Sequence, residues 1–282
     1  MKVTPSGAHV GAEIEGVDLS QGLDDTTFAD IEAAFDKHAV IVFRNQSISP
    51  CDQLRFSERF GTLEINAFSR FALDGYPGIL KVSNIKEDGQ DIGYADAGTD
   101  WHSDMSYTAT PPRATMLYAL EVPFENDNAL GPTLFASAHA AYESLSDARK
   151  SSLQDLMCIH RFSAKRRGVN KPVQLTQAQL DKYPDVVHPV VRTHPRTGAK
   201  ALYVTDDECV GIEGMEAEPA RELIAELAAL IIEERFHYRH EWQVGDLLMW
   251  DNASVQHIAI RDYAWPQRRL MYRTTVNGSK PF

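Results

Sequence analysis

The chain has 282 residues, with 40 acidic side chains against 28 basic ones and a formal net charge of −12. This acidic balance argues against a nucleic-acid-binding protein, which needs a basic surface. No apolar run follows Lys2 as in a secretory signal, and no stretch has the roughly 20 apolar residues of a membrane helix. We therefore expect a cytoplasmic protein with no nucleic-acid or membrane partner, and we leave open whether it forms a homo-oligomer.

The three cysteines, Cys51, Cys158 and Cys209, are far apart in the chain and form no Cys-x-x-Cys pair. An odd and scattered set argues against a disulfide framework and against a thiolate zinc site. Each cysteine is expected to be a small buried or half-buried apolar residue.

Apolar spacing predicts the elements in chain order, beginning with short strands within 8–19 and a helix over 25–39 that Asp24 or Asp25 caps. The run Val40-Ile41-Val42-Phe43 is typical of a buried strand. Further strands are predicted over 78–83, 114–122, 133–135, 186–191, 201–204, 246–250, 254–260 and 268–276. Further helices are predicted over 54–60, 138–145, 148–157 and 218–234.

Strands on both sides of a long insertion predict a mainly β fold with helical insertions, namely a β-sandwich or jelly roll. A doubly wound parallel sheet fits less well, because helices do not alternate regularly with strands. We expect a single domain over 1–282, with a helical insertion around 137–240.

The densest chemistry lies in Trp101-His102-Ser103-Asp104. His102 and Asp104 are two residues apart, so on an extended segment both side chains point to one side. His257, just past an apolar strand, is the best candidate for a third ligand. Two histidines and one carboxylate make the facial triad by which iron(II) oxygenases keep open positions on the metal. A hydrogen-bonded surface pair and a catalytic zinc site are the alternatives.

The segment 266–275 alternates as a strand does. Arg269, Met271 and Arg273 share one face, and Arg268, Leu270 and Tyr272 share the other. Two guanidinium groups facing the interior would need anions, and a dicarboxylate is a natural partner. The alternative is a basic strand facing solvent, with Leu270 and Tyr272 buried instead.

Along nearly its whole length the chain resembles the taurine dioxygenase and 2,4-dichlorophenoxyacetate dioxygenase family of 2-oxoglutarate-dependent oxygenases. The resemblance is carried, in order, by Val10-Gly11-Ala12-Glu13-Ile14-Glu15-Gly16-Val17-Asp18-Leu19, Val42-Phe43-Arg44, Phe60-Gly61-Thr62-Leu63, Trp101-His102-Ser103-Asp104, Trp250-Asp251-Asn252 and the arginine-rich strand.

The resemblance implies a double-stranded β-helix (jelly-roll) core and a 2-oxoglutarate-dependent dioxygenase. It implies that His102, Asp104 and His257 are the ligands of Fe(II). Thr133 and Arg269 match the family's contacts to the distal carboxylate of 2-oxoglutarate. Arg273 matches a second arginine near the substrate anion and the co-substrate.

The chain departs from the family pattern at three places. The approach to Thr133 is Asn128-Ala129-Leu130-Gly131-Pro132 where the family has Gly-Gly-Asp-Thr, and the arginine pair lies one residue further from His257 than is common. Asn66, Ser69 and Gly98 stand where taurine-specific members carry histidine, tyrosine and asparagine, which predicts a substrate other than taurine. Asn66 and Arg273 are the predicted substrate-binding residues.

The predicted function is hydroxylation, with or without bond cleavage, of a small anionic organic substrate such as a sulfonate, sulfate ester or aryloxy or alkyl carboxylate. The reaction would consume O₂ and yield succinate and CO₂. Two other functions stay open at this point, a zinc hydrolase and a non-catalytic jelly-roll binding protein.

Overall fold

The structure, a computed structural model, describes residues 1–65, 70–95, 98–162 and 177–282. The strands before the long insertion are β1 (Lys2–Pro5), β2 (Ala12–Glu15), β3 (Val40–Phe43), β4 (Ala72–Leu73), β5 (Tyr76–Ser83), β6 (Lys86–Glu87), β7 (Gln90–Asp91), β8 (Ala114–Glu121), β9 (Phe124–Glu125), β10 (Asn128–Ala129) and β11 (Thr133–Ser137). The later strands are β12 (Met157–His160), β13 (Val186–Pro189), β14 (Val191–Thr193), β15 (Lys200–Leu202), β16 (Cys209–Ile212), β17 (His237–His240), β18 (Leu247–Asp251), β19 (Val255–Ala259) and β20 (Leu270–Val276). The helices are α1 (Asp25–His38), α2 (Pro50–Glu58), α3 (Ala138–Glu143), α4 (Asp147–Leu153), α5 (Gln177–Lys182) and α6 (Ala217–Ile231), with a 3₁₀ turn over Glu234–Phe236.

The strands form one large sheet and several small ones. Eight strands pair in the order β1-β2-β3-β18-β8-β20-β5-β4, and three others pair as β17-β11-β19. A further three-stranded sheet has the order β13-β12-β16. The fold is therefore β-rich with helices added, as the sequence predicts.

Strand β3 shows how the large sheet is buried on both faces. Ile41 and Phe43 pack in one apolar cluster with residues of α1 and α2. Val40 and Val42 belong to a second cluster, which contains Phe135 of β11. Side chains alternate between the faces of a strand, so a strand buried on both faces is a continuous apolar run. This is why the four-residue run is recognisable in the sequence.

Helix α1 begins as predicted, because the Asp24 side chain accepts a hydrogen bond from the Thr27 backbone N–H. Helix α2 begins at Pro50, before the predicted start at residue 54. Ser49 and Asp52 form a capping box there, with Pro50 in the first turn. A capped start with proline in the first turn is a sequence signal for a helix N-terminus.

The predicted helix over 148–157 is wrong in its second half. Helix α4 ends at Leu153, and Met157 begins strand β12, which pairs with both β13 and β16. Pairing with distant strands overrides the local helical spacing. The insertion around 137–240 therefore holds strands β12–β17 as well as four of the helices.

No helix in the described part of the chain is both long enough and apolar enough to cross a bilayer.

The C-terminal segment passes very close to the chain that leads into β8. A Cβ built on Gly278 would lie 2.0 Å from the Pro111 carbonyl oxygen, whereas one built on Gly22 would meet nothing within 4 Å. Because backbone cannot move aside easily, Gly278→Ala should lower the free energy of unfolding by about 1–3 kcal/mol. Gly22→Ala is the matched control and should change it by less than about 0.5 kcal/mol. Equal urea midpoints for the two variants would contradict this close approach.

Candidate active site

A pair of backbone hydrogen bonds brings the two predicted histidine ligands together. The His102 N–H donates to the His257 carbonyl at 3.1 Å, and the His257 N–H donates back to the His102 carbonyl at 2.9 Å. This antiparallel bridge attaches the His-x-Asp segment to β19. The two imidazole rings consequently lie with their centroids 4.2 Å apart.

Asp104 lies between these rings and the large sheet. Its Oδ1 is 3.6 Å from His102 Nε2 and 4.0 Å from His257 Nε2. The same oxygen is 2.8 Å from Arg273 Nη2 of β20. Its other oxygen, Oδ2, accepts a hydrogen bond of 2.6 Å from the Thr115 hydroxyl. Asp104 is 3% exposed, so a buried carboxylate with four polar neighbours forms the centre of the cluster.

A chain of hydrogen bonds fixes the orientation of Asp104. The Asn252 side-chain amide donates to the Thr115 hydroxyl at 3.1 Å, and the Trp250 indole N–H donates to the Asn252 amide oxygen at 3.1 Å. The Ser103 hydroxyl donates to the Asn252 backbone carbonyl at 2.7 Å. The segment Trp250-Asp251-Asn252 thus acts as a support behind the cluster.

The protonation states of Asp104 and His257 suit a cation. Burial by itself lowers the pKa of His102, but the hydrogen bond and charge of Asp104 outweigh burial and raise this pKa, so a metal would displace a proton from His102. Burial by itself raises the pKa of Asp104, but the charge of Arg273, together with His257 and His102, outweighs burial and holds this pKa well below its ordinary value. Burial and the neighbouring His102 hold the pKa of His257 well below its ordinary value. Asp104 is therefore ionised and His257 neutral, which are the forms that bind a metal.

This donor set fits iron(II). One ligand atom from each of His102, Asp104 and His257 lies within 4.8 Å of the others. The His102 Nδ1 is bound to the Asp100 carbonyl at 2.7 Å, which leaves its Nε2 free to coordinate. Two imidazoles and one carboxylate on one side of an ion leave open positions for co-substrate and O₂.

Arg269 is a buried cation without an ion-pair partner among the described residues. It is 4% exposed, and its Nη1 donates to the Gly131 carbonyl at 2.5 Å. Its guanidinium carbon lies 5.7 Å from the Trp242 ring centre and 5.6 Å from that of Tyr263. Thr133 joins the same pocket, because its hydroxyl accepts a hydrogen bond from the Trp242 indole at 3.0 Å.

Arg268 points the other way. Its Nε and Nη2 donate to both oxygens of Glu121 at 2.7 and 2.9 Å, on the exposed side of the sheet. Successive side chains of an extended chain point to opposite faces, so Arg268 and Arg269 point in opposite directions. Of the two arginines, Arg269 is the one that faces the interior, on the side of Arg273.

The backbone passes close to Arg269 at Gly131 and close to His102 at Gly98. A Cβ on Gly131 would lie 2.3 Å from Arg269 Nη1, and one on Gly98 would lie 3.2 Å from His102 Cε1. Both residues have a positive φ, of 69° and 74° respectively, a region that glycine enters without steric cost. The polar side chain that taurine-specific members are expected to place at position 98 is thus replaced by backbone over the His102 ring.

Two residues singled out in the sequence lie outside the described structure, and three residues near the site carry no sequence signal. Asn66, the predicted substrate-binding residue, lies outside the described residues, as does Ser69. Trp242 and Tyr263, which surround Arg269, were not identified from the sequence, and no local motif marks them. Thr115 likewise carries no signal beyond its place in a buried strand.

The fold and this cluster define a β-rich protein with a mononuclear non-haem iron site. The Taurine catabolism dioxygenase TauD, TfdA family matches residues 2–275. The 2,4-dichlorophenoxyacetate dioxygenase of Cupriavidus pinatubonensis is 33% identical and covers 99% of both chains. Pentalenolactone F synthase of Streptomyces arenae is 31% identical over 96% of this chain and 93% of its own.

A solved structure shows the same fold. AAD-2 in complex with Mn(II) and N-oxalylglycine superposes with a TM-score of 0.82 and 30% identity, covering 99% of this chain and 98% of that one. The chain therefore belongs to the TauD, TfdA dioxygenase family. It is a 2-oxoglutarate-dependent dioxygenase with Fe(II), as the sequence predicts, and neither a zinc hydrolase nor a non-catalytic binding protein.

The support behind Asp104 can be tested with Thr115→Val, which keeps the shape of the side chain and removes the hydrogen bond to the carboxylate. Loss of such a support should weaken metal binding about 10- to 100-fold. Titration of the apoprotein with Fe(II) under anaerobic conditions measures the effect. Thr274→Val is the control, because Thr274 is equally buried but its hydroxyl bonds to Ser57. Equal affinities in the two variants would show that Thr115 does not support the metal ligand.

Proposed function

We propose that the protein hydroxylates a small organic anion, with an aryloxy or related carboxylate as the favoured class, and forms succinate and CO₂ from 2-oxoglutarate. In this proposal His102, Asp104 and His257 hold Fe(II), and Arg269 with Thr133 binds the distal carboxylate of 2-oxoglutarate. Arg273 orients the substrate anion. Asn66 is proposed as a further substrate contact on family resemblance alone.

The observation that carries the proposal is the buried guanidinium of Arg269. A charge out of water is costly unless an opposite charge accompanies it. Among the described residues Arg269 forms no ion pair. Its guanidinium donates to the Gly131 carbonyl and contacts the Met271 sulfur and two aromatic rings. It also interacts with the Tyr263 hydroxyl and, at longer range, with the charge of Asp262. A bidentate carboxylate from a bound dicarboxylate would compensate this charge.

The charge balance supports an anionic substrate. Arg269 and Arg273 carry positive charges and Asp104 carries a negative one, so these three leave one positive charge. Asp262, whose charge also acts on Arg269, is exposed, so water screens it. Adding Fe(II) and the doubly negative 2-oxoglutarate leaves that one charge unchanged. A monoanionic substrate would neutralise it. Burial raises the pKa of the neighbouring carboxyl groups of Glu64 and Glu208, so these two groups take up a proton more readily than an exposed glutamate.

When bound, Fe(II) and 2-oxoglutarate supply the oxidising chemistry, in which O₂ is consumed and one oxygen atom enters a substrate C–H bond. The protein positions the reactants and excludes water. Trp250 and Phe135 lie against the His257 ring at centroid distances of 4.7 and 5.9 Å and keep that side dry. Arg273 shares the Asp104 carboxylate, so a substrate anion on Arg273 would be held beside the metal ligands.

An aromatic cluster favours an aryl group on the substrate. The rings of Tyr107, Phe162 and Tyr183 lie 4.7 to 5.4 Å apart and are half-buried. Tyr107 is close enough to Asp104 and Arg273 for their charges to act on its pKa. Edge-to-face contacts at this spacing stabilise an aromatic partner. The cluster would lie along one side of an aryloxy group whose carboxylate reaches Arg273.

We further infer that the large sheet and the β17-β11-β19 sheet together form the double-stranded β-helix (jelly-roll) core. The whole chain, 1–282, would act as one dioxygenase domain in which 137–240 is an insertion. In support, the His-x-Asp segment and His257 lie on opposite sides of this insertion in the sequence yet share one backbone bridge.

The binding of 2-oxoglutarate can be tested by comparing Arg269→Ala with Arg268→Ala. Loss of a buried guanidinium–carboxylate contact should cost about 2–5 kcal/mol, or roughly thirtyfold to several-thousandfold in affinity. Arg268→Ala removes an exposed ion pair of about 0–1 kcal/mol and should leave the affinity nearly unchanged. Anaerobic titration of 2-oxoglutarate into the metal-loaded variants gives both values. A larger defect in Arg268→Ala would overturn the assignment.

The substrate class can be tested by measuring substrate-stimulated succinate release on a panel of aryloxy carboxylates, alkyl carboxylates, sulfonates including taurine, and sulfate esters. We expect an aryloxy carboxylate to give the highest kcat/KM. Phe162→Ala should lower this value about tenfold, equivalent to about 1.4 kcal/mol of ring contact, and affect alkyl carboxylates less. Phe124→Ala, an exposed phenylalanine on β9, is the control. Taurine as the best substrate, or equal effects of both variants, would contradict the proposal.

A further inference from the structure

A second cluster of ligand-type side chains lies on the β13-β12-β16 sheet, outside the iron site. Cys158 and His160 are two residues apart on β12, so their side chains share one face. Cys209 is the register partner of His160 on the neighbouring strand β16. All three residues are buried. Two thiols and an imidazole therefore meet in the interior.

Their geometry matches a metal site. One ligand atom from each of the three residues lies within 4.8 Å of the others. Cys209 Sγ is 3.6 Å from His160 Nε2. With zinc–sulfur and zinc–nitrogen bonds of about 2.3 and 2.0 Å, a tetrahedral ion separates these atoms by about 3.6 Å. Cys209 Sγ is also 3.8 Å from His160 Nδ1, so the His160 ring would have to turn for its Nε2 to point at an ion beside the sulfur.

The surrounding hydrogen bonds orient the same atoms. His160 Nδ1 lies 3.0 Å from the Ser106 hydroxyl, which donates to a carboxylate oxygen of Glu208. A carboxylate behind the second ring nitrogen, here through a hydroxyl, is a common arrangement for a metal-binding histidine. The Thr205 backbone N–H donates to Cys209 Sγ at 3.2 Å, which would stabilise a thiolate.

We propose that Cys158, His160 and Cys209 bind one thiophilic cation of the zinc(II) type, at a site distinct from the iron centre. Soft thiolate ligands with one imidazole select such ions. A small cavity with room for about one water molecule lies against His160. Neither cysteine lines this cavity, so a fourth ligand would be a water that enters with the ion. On binding, the cation displaces the thiol protons.

In the sequence, the scattered spacing of the cysteines argues against a thiolate site. That argument fails for this cluster, because strand pairing brings distant residues together. The ligands come from two paired strands, β12 and β16, that are separated in the chain by α5 and β13–β15, so no short motif marks them. The bound ion would tie β12 to β16. It would also hold Glu208 and Ser106 behind the His-x-Asp segment, since Ser106 follows Asp104 by two residues.

Cobalt spectroscopy tests the proposal on the full-length protein. His102→Ala, produced in cobalt-supplemented medium under reducing conditions, removes a ligand of the iron centre and leaves this cluster intact. We expect about one cobalt per chain, with strong thiolate-to-cobalt charge-transfer absorption and the intense visible bands of a tetrahedral ion. Adding Cys209→Ser should abolish most of the charge-transfer band. Adding Cys51→Ser should leave the band unchanged, because Cys51 is exposed and not buried or half-buried as predicted.

Two results would overturn the proposal. One is a cobalt spectrum of His102→Ala without thiolate bands. All three proposed ligands are present in that variant, so the missing bands could not be blamed on a cysteine substitution that unfolds the cluster. The other is a Cys158–Cys209 disulfide in peptide maps of the unreduced protein, which would make the pair a redox couple. Loss of 2-oxoglutarate turnover has no bearing on either result, so failure here is distinguishable from failure of the iron site.

Discussion

The structure of the site depends on the burial of one carboxylate, that of Asp104. An ionised carboxylate away from water is unstable unless hydrogen bonds and opposite charges surround it. Thr115 and Arg273 each bind one of its oxygens, and the two histidines approach the oxygen that Arg273 also contacts. The support from Asn252 and Trp250 exists to hold this arrangement. The proposed cation between His102, Asp104 and His257 would complete the compensation and would tie metal binding to the packing of both sheets.

In the proposed complex the two interior arginines bind different anions. Arg273 is already engaged with Asp104, and its Nε has no hydrogen-bond partner among the described residues, so part of its donor capacity remains for a ligand. Arg269 forms no ion pair within the described part of the chain and lies in an aromatic pocket with Trp242 and Tyr263. Under this proposal one carboxylate would lie on Arg273, beside the metal ligands, and the other in the separate pocket of Arg269. This separation would fix the orientation of the co-substrate relative to the substrate.

Much of the site could be predicted from the sequence because its geometry is local. Spacing by two places His102 and Asp104 on one side, and strand parity sends Arg269 inward and Arg268 outward. Contacts made by the tertiary fold could not be predicted in this way. Trp242 donates a hydrogen bond to Thr133 from more than a hundred residues away. Cys209 meets His160 only because β12 pairs with β16, although the first residue of β12, Met157, is predicted to end a helix. Local spacing predicts direction along a strand, but it does not predict which distant strand lies alongside.

We propose one metal ion between His102, Asp104 and His257, with the distal carboxylate of the co-substrate on Arg269. Anomalous diffraction from crystals grown with Mn(II) and N-oxalylglycine tests both parts at once. We expect a manganese peak bonded to the two Nε2 atoms and Asp104 Oδ1, with the far carboxylate of the inhibitor paired to the Arg269 guanidinium. A manganese peak elsewhere, or an inhibitor whose far carboxylate lies away from Arg269, would contradict it.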